Sequence, residues 1–266
     1  MCGRYTVTKK DTKTIADRFQ VELEKALERN KEGSVPAPSA ERKEKIAAAL
    51  GRYNVAPSQE VVTVRSSPDP EEAAAGAREA RLMRWGLVPR WAKDLNTGFK
   101  MINAKAERLL ESRAYAPLVG KFRHRCLIVA DGFYEWMKAE DPKQPRQPVR
   151  FTVDGGEPFA FAGICTRKEW EGEEANDDGW LYTCTIVTTT PNEVVARVHD
   201  RMPAILPSAE AEAAWLDPSL EPADAVAMCG PLPADRMQSA LANPRLNKVG
   251  KGSEGPEMLI APESGA

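Results

Sequence analysis

Arg125-Cys126-Leu127-Ile128-Val129-Ala130-Asp131-Gly132-Phe133-Tyr134-Glu135-Trp136-Met137 carries two strand signatures back to back near the middle of the chain. Both halves are short and rich in β-branched and aromatic residues, and Asp131-Gly132 punctuates them. Val149–Val153, Phe159–Cys165 and Tyr182–Thr188 share the same texture. Helical stretches surround these runs. Thr12–Asn30 and Glu41–Leu50 read as charged helices joined by a Pro-containing connection, and Ala104–Ser112 as a third helix. Pro191–Val198, Ser208–Leu216 and Pro222–Met228 read as short helices, with Ser208 in N-cap position and Glu in the turns that follow. The acidic, Ala-rich Ser66–Glu79 reads as a hairpin tip or inserted loop, and Met258–Ile260 as a last strand.

Many short strands among few short helices imply an α+β fold. The expected architecture is a single domain with a mostly antiparallel, barrel-like β-sheet and flanking short helices. It would span residues 1–262, with 263–266 as a tail.

Of the 266 residues, 42% are hydrophobic and 29% charged, the composition of a soluble globular protein. No apolar run approaches the ~20 residues that span a bilayer, and the first ten residues hold no apolar core of a secretory signal. These features argue against a membrane or secreted protein. A net charge of -2 discourages a nucleic-acid partner, but the average conceals an asymmetry. Arg81–Arg125 holds 11 Lys and Arg against three acids, so it carries +8 and the rest of the chain -10. With Trp85, Trp91 and Phe99 interleaved, this stretch suits a groove that tracks a nucleic-acid strand and stacks its bases. Alternatively, the basic residues only solvate one face.

The five cysteines are scattered and never spaced as C-x-x-C, so neither a disulfide framework nor a zinc site is signalled. Cys126, Cys165 and Cys184 lie in strand-like runs and read as buried thiols, while Cys229 before a Gly-Pro reads as structural. Cys2 differs, because an initiator Met is usually removed before so small a side chain. Of the two histidines, His124 lies in a basic string and reads as structural or phosphate-facing. His199 follows a short helix within Arg-Val-His-Asp-Arg-Met-Pro, where Asp200 or a backbone carbonyl could fix its tautomer. Glu135 alternates with Phe133 and Met137, so it faces the side they face. Desolvation there would raise its pKa into the range useful for acid–base work; the other reading is an edge-strand Glu paired with a Lys or Arg.

Six strings occur in order: Cys2-Gly3-Arg4-Tyr5, Arg52-Tyr53-Asn54-Val55-Ala56-Pro57, Trp85 to Lys93, Ile102-Asn103-Ala104-Lys105-Ala106-Glu107, Asp131 to Trp136, and His199-Asp200-Arg201-Met202-Pro203. Together they resemble the SRAP family, the SOS-response-associated peptidases or abasic-site processing proteins, from Cys2 to about Pro262. The resemblance implies that Met1 is lost and that Cys2, a 1,2-aminothiol, captures the ring-opened aldehyde of an abasic site in single-stranded DNA. The amine, of ordinary pKa ~7.7–8.0, would form a Schiff base and the thiol would close a thiazolidine. Asn103 would hold the Cys2 terminus or the substrate, Glu135 would act as acid–base group, and His199 would assist sugar opening and proton transfer. Arg4, Asn54, Lys105 and Arg201 would contact DNA, and Trp85 and the loop through Trp91 would stack on or wedge between bases. Many members carry Arg where this chain has Lys105, which keeps the charge but not the bidentate fork.

The competing reading is a thiol peptidase with Cys2 as nucleophile, His199 as base and Glu135 as orienter; a non-catalytic strand-binding module is a third. Two histidines without clustered cysteines supply no metal ligand set, and no cofactor is expected. The expected partner is single-stranded DNA containing abasic sites, met by a monomer. The expected location is the cytoplasm (on the nucleoid when bound) if bacterial, or the nucleus if eukaryotic.

Overall fold

At Asp131 the chain leaves one sheet and enters another. The computed structural model describes residues 2–21, 40–138, 141, 143–172, 174–175 and 179–262. Among them the strands are β1 (Arg4–Val7), β2 (Arg52–Val55), β3 (Glu60–Ser66), β4 (Arg78–Trp85), β5 (Asn103–Lys105) and β6 (Arg125–Ala130). They continue as β7 (Gly132–Trp136), β8 (Pro148–Val153), β9 (Phe159–Glu169), β10 (Trp180–Thr189), β11 (Met202–Pro203) and β12 (Met237–Leu241). The helices are α1 (Thr12–Phe19), α2 (Ala40–Ala48), α3 (Pro70–Ala74), α4 (Asn96–Phe99), α5 (Ala116–Val119), α6 (Glu193–Ala196), α7 (Ala209–Leu216) and α8 (Pro222–Ala227).

Strands β10, β4, β3, β6 and β9 pair in that order, and β9 pairs back to β10, closing a five-stranded barrel. Its β10–β4 pair is parallel and the others antiparallel. A second, wholly antiparallel sheet runs β12-β8-β7-β1-β2. The α+β class and the barrel-like, mostly antiparallel sheet are therefore as expected, with the second sheet added. Closure leaves no free edge in the barrel, which suits the apolar run of β6, buried throughout. Between the sheets runs a train of aromatic rings: Tyr5 lies edge-on to Trp85 (5.3 Å) and Phe161 (5.7 Å), while Phe133 stacks on Phe151 at 5.1 Å. Such pairs contribute roughly 0.5–1.5 kcal/mol each beyond the area they bury.

The corner itself is tied to β1. Asp131 is buried, and its Oδ1 accepts from Thr6 Oγ1 at 2.6 Å. Its Oδ2 accepts from Thr8 N (2.5 Å), Thr8 Oγ1 (2.6 Å) and Lys9 N (3.3 Å). The Asp131 amide donates to Thr6 O at 2.9 Å. Gly132 has no room for a side chain, because a Cβ there would lie 2.8 Å from Thr6 Oγ1 and 3.0 Å from Phe151 O.

The five strand-like runs are all strands, and β9 and β10 extend beyond their apolar parts as a ladder from Trp180–Glu169 to Ile186–Gly163. Ser208 caps α7 by accepting from Ala211 N, and α8 lies where a helix was expected. The Pro191–Val198 helix is present only as the single turn of α6. Ser66–Glu79 is the tip of the β3–β4 hairpin and contains α3. For Thr12–Asn30 the described helix ends at Phe19, where Gln20 takes a left-handed conformation; residues 22–30 lie outside the described residues. Two expectations are corrected. The Ala104–Ser112 helix is instead β5 followed by one 3-10 turn at Ala106–Arg108, because Asn103–Lys105 is captured by parallel pairing with β10. Met258–Ile260 is no strand but follows a 3-10 turn, with Met258 buried against Tyr134, Ala242 and Leu246.

Replacing Asp131 strands several buried donors at once. Asp131→Ala is expected to lower stability by about 2–4 kcal/mol, read from the urea midpoint. A loss within ~0.5 kcal/mol, the range of ordinary surface substitutions, would mean that the corner holds without it.

Candidate functional site

Cys2 stands two residues ahead of β1 and is fully buried at 0% exposure. It is held through its backbone, since Asn103 Nδ2 donates to Cys2 O at 2.8 Å. Its Sγ donates a long contact to Arg4 O, 3.8 Å. Burial, reinforced by the Glu135 charge, pushes the Cys2 thiol well above its ordinary pKa. Asn103 reaches Cys2 because β5 lies on β10, with Asn103 opposite Ile186. Its Oδ1 is buried and makes no hydrogen bond to the described residues.

Glu135 comes from β7, one residue past the Arg4–Tyr134 pair that joins β7 to β1. As its alternation with Phe133 implied, it is buried, and desolvation raises its carboxyl to about 7, with the charge of Asp200 acting in the same direction. His199 Nε2 lies 3.9 Å from Glu135 Oε2. The single turn of α6, capped by Asn192, delivers this histidine, whose amide donates to Val195 O at 2.9 Å. His199 Nδ1 accepts the Arg201 amide at 3.0 Å. Asp200 Oδ1 lies equally close to Nδ1, but one ring nitrogen cannot both accept from an amide and donate to a carboxylate. The amide is an obligatory donor and Asp200 is well solvated, so the neutral ring carries its proton on Nε2, towards Glu135. Burial lowers the pKa of His199 and favours that neutral form.

Cys2 is thus hydrogen-bonded to Asn103, Glu135 lies 3.9 Å from His199, and the Glu135 charge is near enough to act on the Cys2 thiol. The cationic residues are placed less uniformly. Lys105 is exposed. Arg4 is half-buried; its Nη1 donates to Gly3 O at 2.9 Å and its buried Nε has no partner. Arg201 is already engaged: Nη1 and Nη2 form a bidentate pair with Glu107 (2.7 and 3.0 Å), and Nη2 donates to Thr188 O at 2.6 Å. Eight basic residues of the Arg81–Arg125 stretch reach the surface: Arg90, Lys93, Lys100, Lys105, Arg108, Arg113, Lys121 and Arg123. Arg125 does not; it is buried and donates to the carbonyls of Trp215, Val119 and Asp217.

Two residues expected to contact DNA lie inside the protein. Trp85 is only 1% exposed, with its indole N–H on Ile102 O (2.9 Å) and its ring on Tyr5, so no base can stack on it in this structure. Asn54 is buried and donates to Lys248 O at 3.1 Å, an internal clasp rather than a surface contact. Trp91 (69% exposed) and Phe99 (55%) are available instead, on the connection from β4 to β5. Gly86 and Gly98 pin the base of that loop, since a Cβ on Gly86 would meet Gly98 O at 2.7 Å. His124 is structural, with Nδ1 on Cys165 O at 2.9 Å. Sequence reading quoted Glu107 and Asp131 within its strings but assigned them no role, because their partners, Arg201 and Thr6 to Lys9, are distant in sequence. Among the described residues no group of three His, Cys, Asp or Glu could hold a metal ion, and no helix is long and apolar enough to cross a membrane.

A barrel with a flanking antiparallel sheet is also the architecture of a Bacteroides thetaiotaomicron protein solved by X-ray crystallography. It aligns over 98% of this chain and all of its own with a TM-score of 0.69 at 22% identity. A Bordetella bronchiseptica protein aligns over 91% of this chain with a TM-score of 0.61. The class is an α+β domain that places a cysteine, just ahead of its first strand, near a glutamate–histidine pair. Residues 1–249 match the family model of the SOS response associated peptidase, SRAP, and the chain belongs to that family. It is 42% identical over 209 residues to the abasic site processing protein YoqW of Bacillus subtilis, covering 78% of this chain and 84% of that one. It is 36% identical over 167 residues to the abasic site processing protein HMCES of Gallus gallus, covering 55% and 48%.

The raised carboxyl has a thermodynamic signature. Because Glu135 titrates near 7 when folded and near 4.3 when unfolded, the native state binds more protons between those values, and stability is lost as pH rises through that window. Glu135→Gln removes this dependence. Its stability relative to the parent should improve by about 3 kcal/mol between pH 4.5 and pH 8, read from urea midpoints. A pH-independent difference would show that Glu135 ionises without penalty.

Proposed function

We propose that this chain captures abasic sites in single-stranded DNA by a covalent thiazolidine crosslink through Cys2, once Met1 has been removed, and so shields the lesion during the response to DNA damage. The observation that carries this reading is how Cys2 is held. Asn103 grips its carbonyl, which leaves both the amine and the thiol for chemistry beside Glu135. The relatives named abasic site processing proteins support it.

The steps follow from those groups. The Cys2 amine adds to C1′ of the ring-opened sugar, and the carbinolamine loses water to give an imine. The thiol then adds across that C=N bond: sulfur bonds to C1′ and the thiol proton passes to nitrogen, so the net reaction releases one water. Glu135, poised near neutrality, takes the proton shed by the attacking amine and returns it to the departing hydroxyl. His199, neutral with Nε2–H towards Glu135, orients that carboxylate and relays its proton. Both nucleophiles belong to one residue, so ring closure is intramolecular and gains a high effective concentration. A thiol held protonated by burial suits this order, because it adds only after the imine has formed. A peptidase would instead need a ready thiolate with His199 against it, whereas His199 faces Glu135.

Incubation with single-stranded DNA bearing one abasic site should yield a heat-stable adduct on an N-terminal tryptic peptide that lacks Met1. Cys2→Ala should abolish it while leaving DNA binding nearly intact. An adduct on a lysine, or retention of Met1 in the adduct, would overturn the thiazolidine reading.

The exposed rings supply a separate test. Trp91→Ala and Phe99→Ala should each weaken binding of undamaged single-stranded DNA by about 1–3 kcal/mol, with little change in thermal midpoint. Unchanged affinity in both would remove this loop from the DNA path.

A further inference from the structure

Arg201 lies two residues beyond His199, and its backbone amide fixes the histidine tautomer. Its guanidinium is not poised as a free cation. Nη1 and Nη2 are both taken by the Glu107 carboxylate, and Nη2 also donates to Thr188 O. Nε is buried and makes no hydrogen bond to the described residues. Glu107 stands on the 3-10 turn that directly follows β5, and β5 carries Asn103 and Lys105. The turn that ends the Asn103 strand therefore also sets the arginine behind His199.

We propose that Glu107 is a positioning residue for Arg201: it orients the guanidinium by its two terminal nitrogens, holds that charge at the edge of the site where a DNA phosphate would pair with it, and masks the arginine's charge. This rests on the crosslinking function proposed above, in which Arg201 is a phosphate contact. The pair is partly exposed, with Glu107 half in solvent, so a phosphate can approach it. The hydrogen bond from Arg201 holds the Glu107 carboxyl below its ordinary pKa, which keeps the mask charged near neutrality. A bidentate guanidinium–carboxylate pair fixes a plane as well as a position. Arg201 then contributes direction to DNA binding and little net attraction.

This division gives Glu107→Gln two opposite effects, which a merely structural residue would not show. With the mask removed, Arg201 becomes an uncompensated charge. Undamaged single-stranded DNA should bind about two- to fivefold more tightly at low salt, in line with one exposed ion contact. The slope of log affinity against log salt should steepen by roughly 0.7, the value for one more neutralised phosphate on a single strand. At saturating abasic DNA, by contrast, single-turnover capture should slow on the order of tenfold, because the phosphate is no longer held in one orientation. Glu107→Asp retains the charge and should return the salt slope to that of the parent. In the double variant Glu107→Gln with Arg201→Gln the added slope should vanish, since the unmasked charge is that of Arg201.

Affinity is read by anisotropy with an undamaged oligonucleotide, and capture by gel with an abasic one. An unchanged slope in Glu107→Gln, an added slope that survives in the double variant, or a parallel fall in affinity and capture would each overturn the proposal. The binding arm needs no crosslink. Absence of a Cys2 adduct in the parent protein would defeat the crosslinking reading alone, and the salt slopes would still decide whether Glu107 masks Arg201.

Discussion

The hydrogen bonds that Asp131 accepts from Thr6, Thr8 and Lys9 are the contact on which the rest of the molecule leans. Chain termini fray unless they are tied down, and ordering each residue of a terminal strand opposes folding by about 1–2 kcal/mol. β1 has only four residues to offset that, and it does so from the middle of a sheet, between β2 and β7. Tyr5 is inserted among Trp85 and Phe161, and the Asp131 clasp closes the far end. Because the clasp sits where the barrel hands over to the second sheet, one carboxylate ties β1 to the junction of the two sheets. Cys2 is thereby a fixed point. Chemistry that depends on two nucleophiles from one residue gains from this rigidity, since neither has to be recruited from a mobile end.

Electrostatics in the site runs against stability. Glu135 is desolvated and titrates near neutrality, and His199 is held neutral beside it. A stabilising design would place an arginine against Glu135; instead the nearby arginine, Arg201, is turned to Glu107 and presents only its backbone amide to His199. With that cation turned away, the Glu135 carboxyl stands at about 7, in the range where proton transfer is most useful.

Local signals were legible in the sequence and long-range ones were not. The runs from Arg125 to Thr188 announce their strands, because apolar β-branched runs bounded by turn residues carry that information within themselves. The Ser208 cap and the buried Cys126, Cys165 and Cys184 are equally local. Asp131-Gly132 was legible only as punctuation; that the strands on either side join different sheets depends on Thr6 and Arg150, over a hundred positions upstream and some twenty downstream. Ala104 and Lys105 looked helical because nothing nearby says that Val187 and Thr188 will pair with them. Trp85 and Trp91 sit in one string with the same residue type. The first ends a barrel strand opposite Cys184 and the second lies on an open loop, a difference made by pairing partners. Cys2, Glu135 and His199 stand out within their own strings and Asn103 only through family resemblance, while the Arg201–Glu107 pair shows only in three dimensions.

The charge distribution then acquires a physical sense. A stretch of +8 in a chain of -2 looks like a DNA grip diluted by an acidic remainder. In the structure part of that charge is spent internally, with Arg125 on carbonyls and Arg81 against Glu79 and Tyr182. Arg201, two residues beyond His199, is compensated as well. Under the crosslinking function proposed above, the target would be retained by a covalent bond, so great affinity for undamaged strands would only lengthen each unproductive encounter. Discrimination would lie in the aldehyde, which intact DNA lacks. Exposed lysines and two exposed rings would bring a strand to the surface with sequence-tolerant contacts, and oriented donors around Cys2 would arrange the carbonyl that arrives. Modest attraction and strict orientation are therefore consistent requirements, and pairing an arginine with a carboxylate at the edge of the site satisfies both.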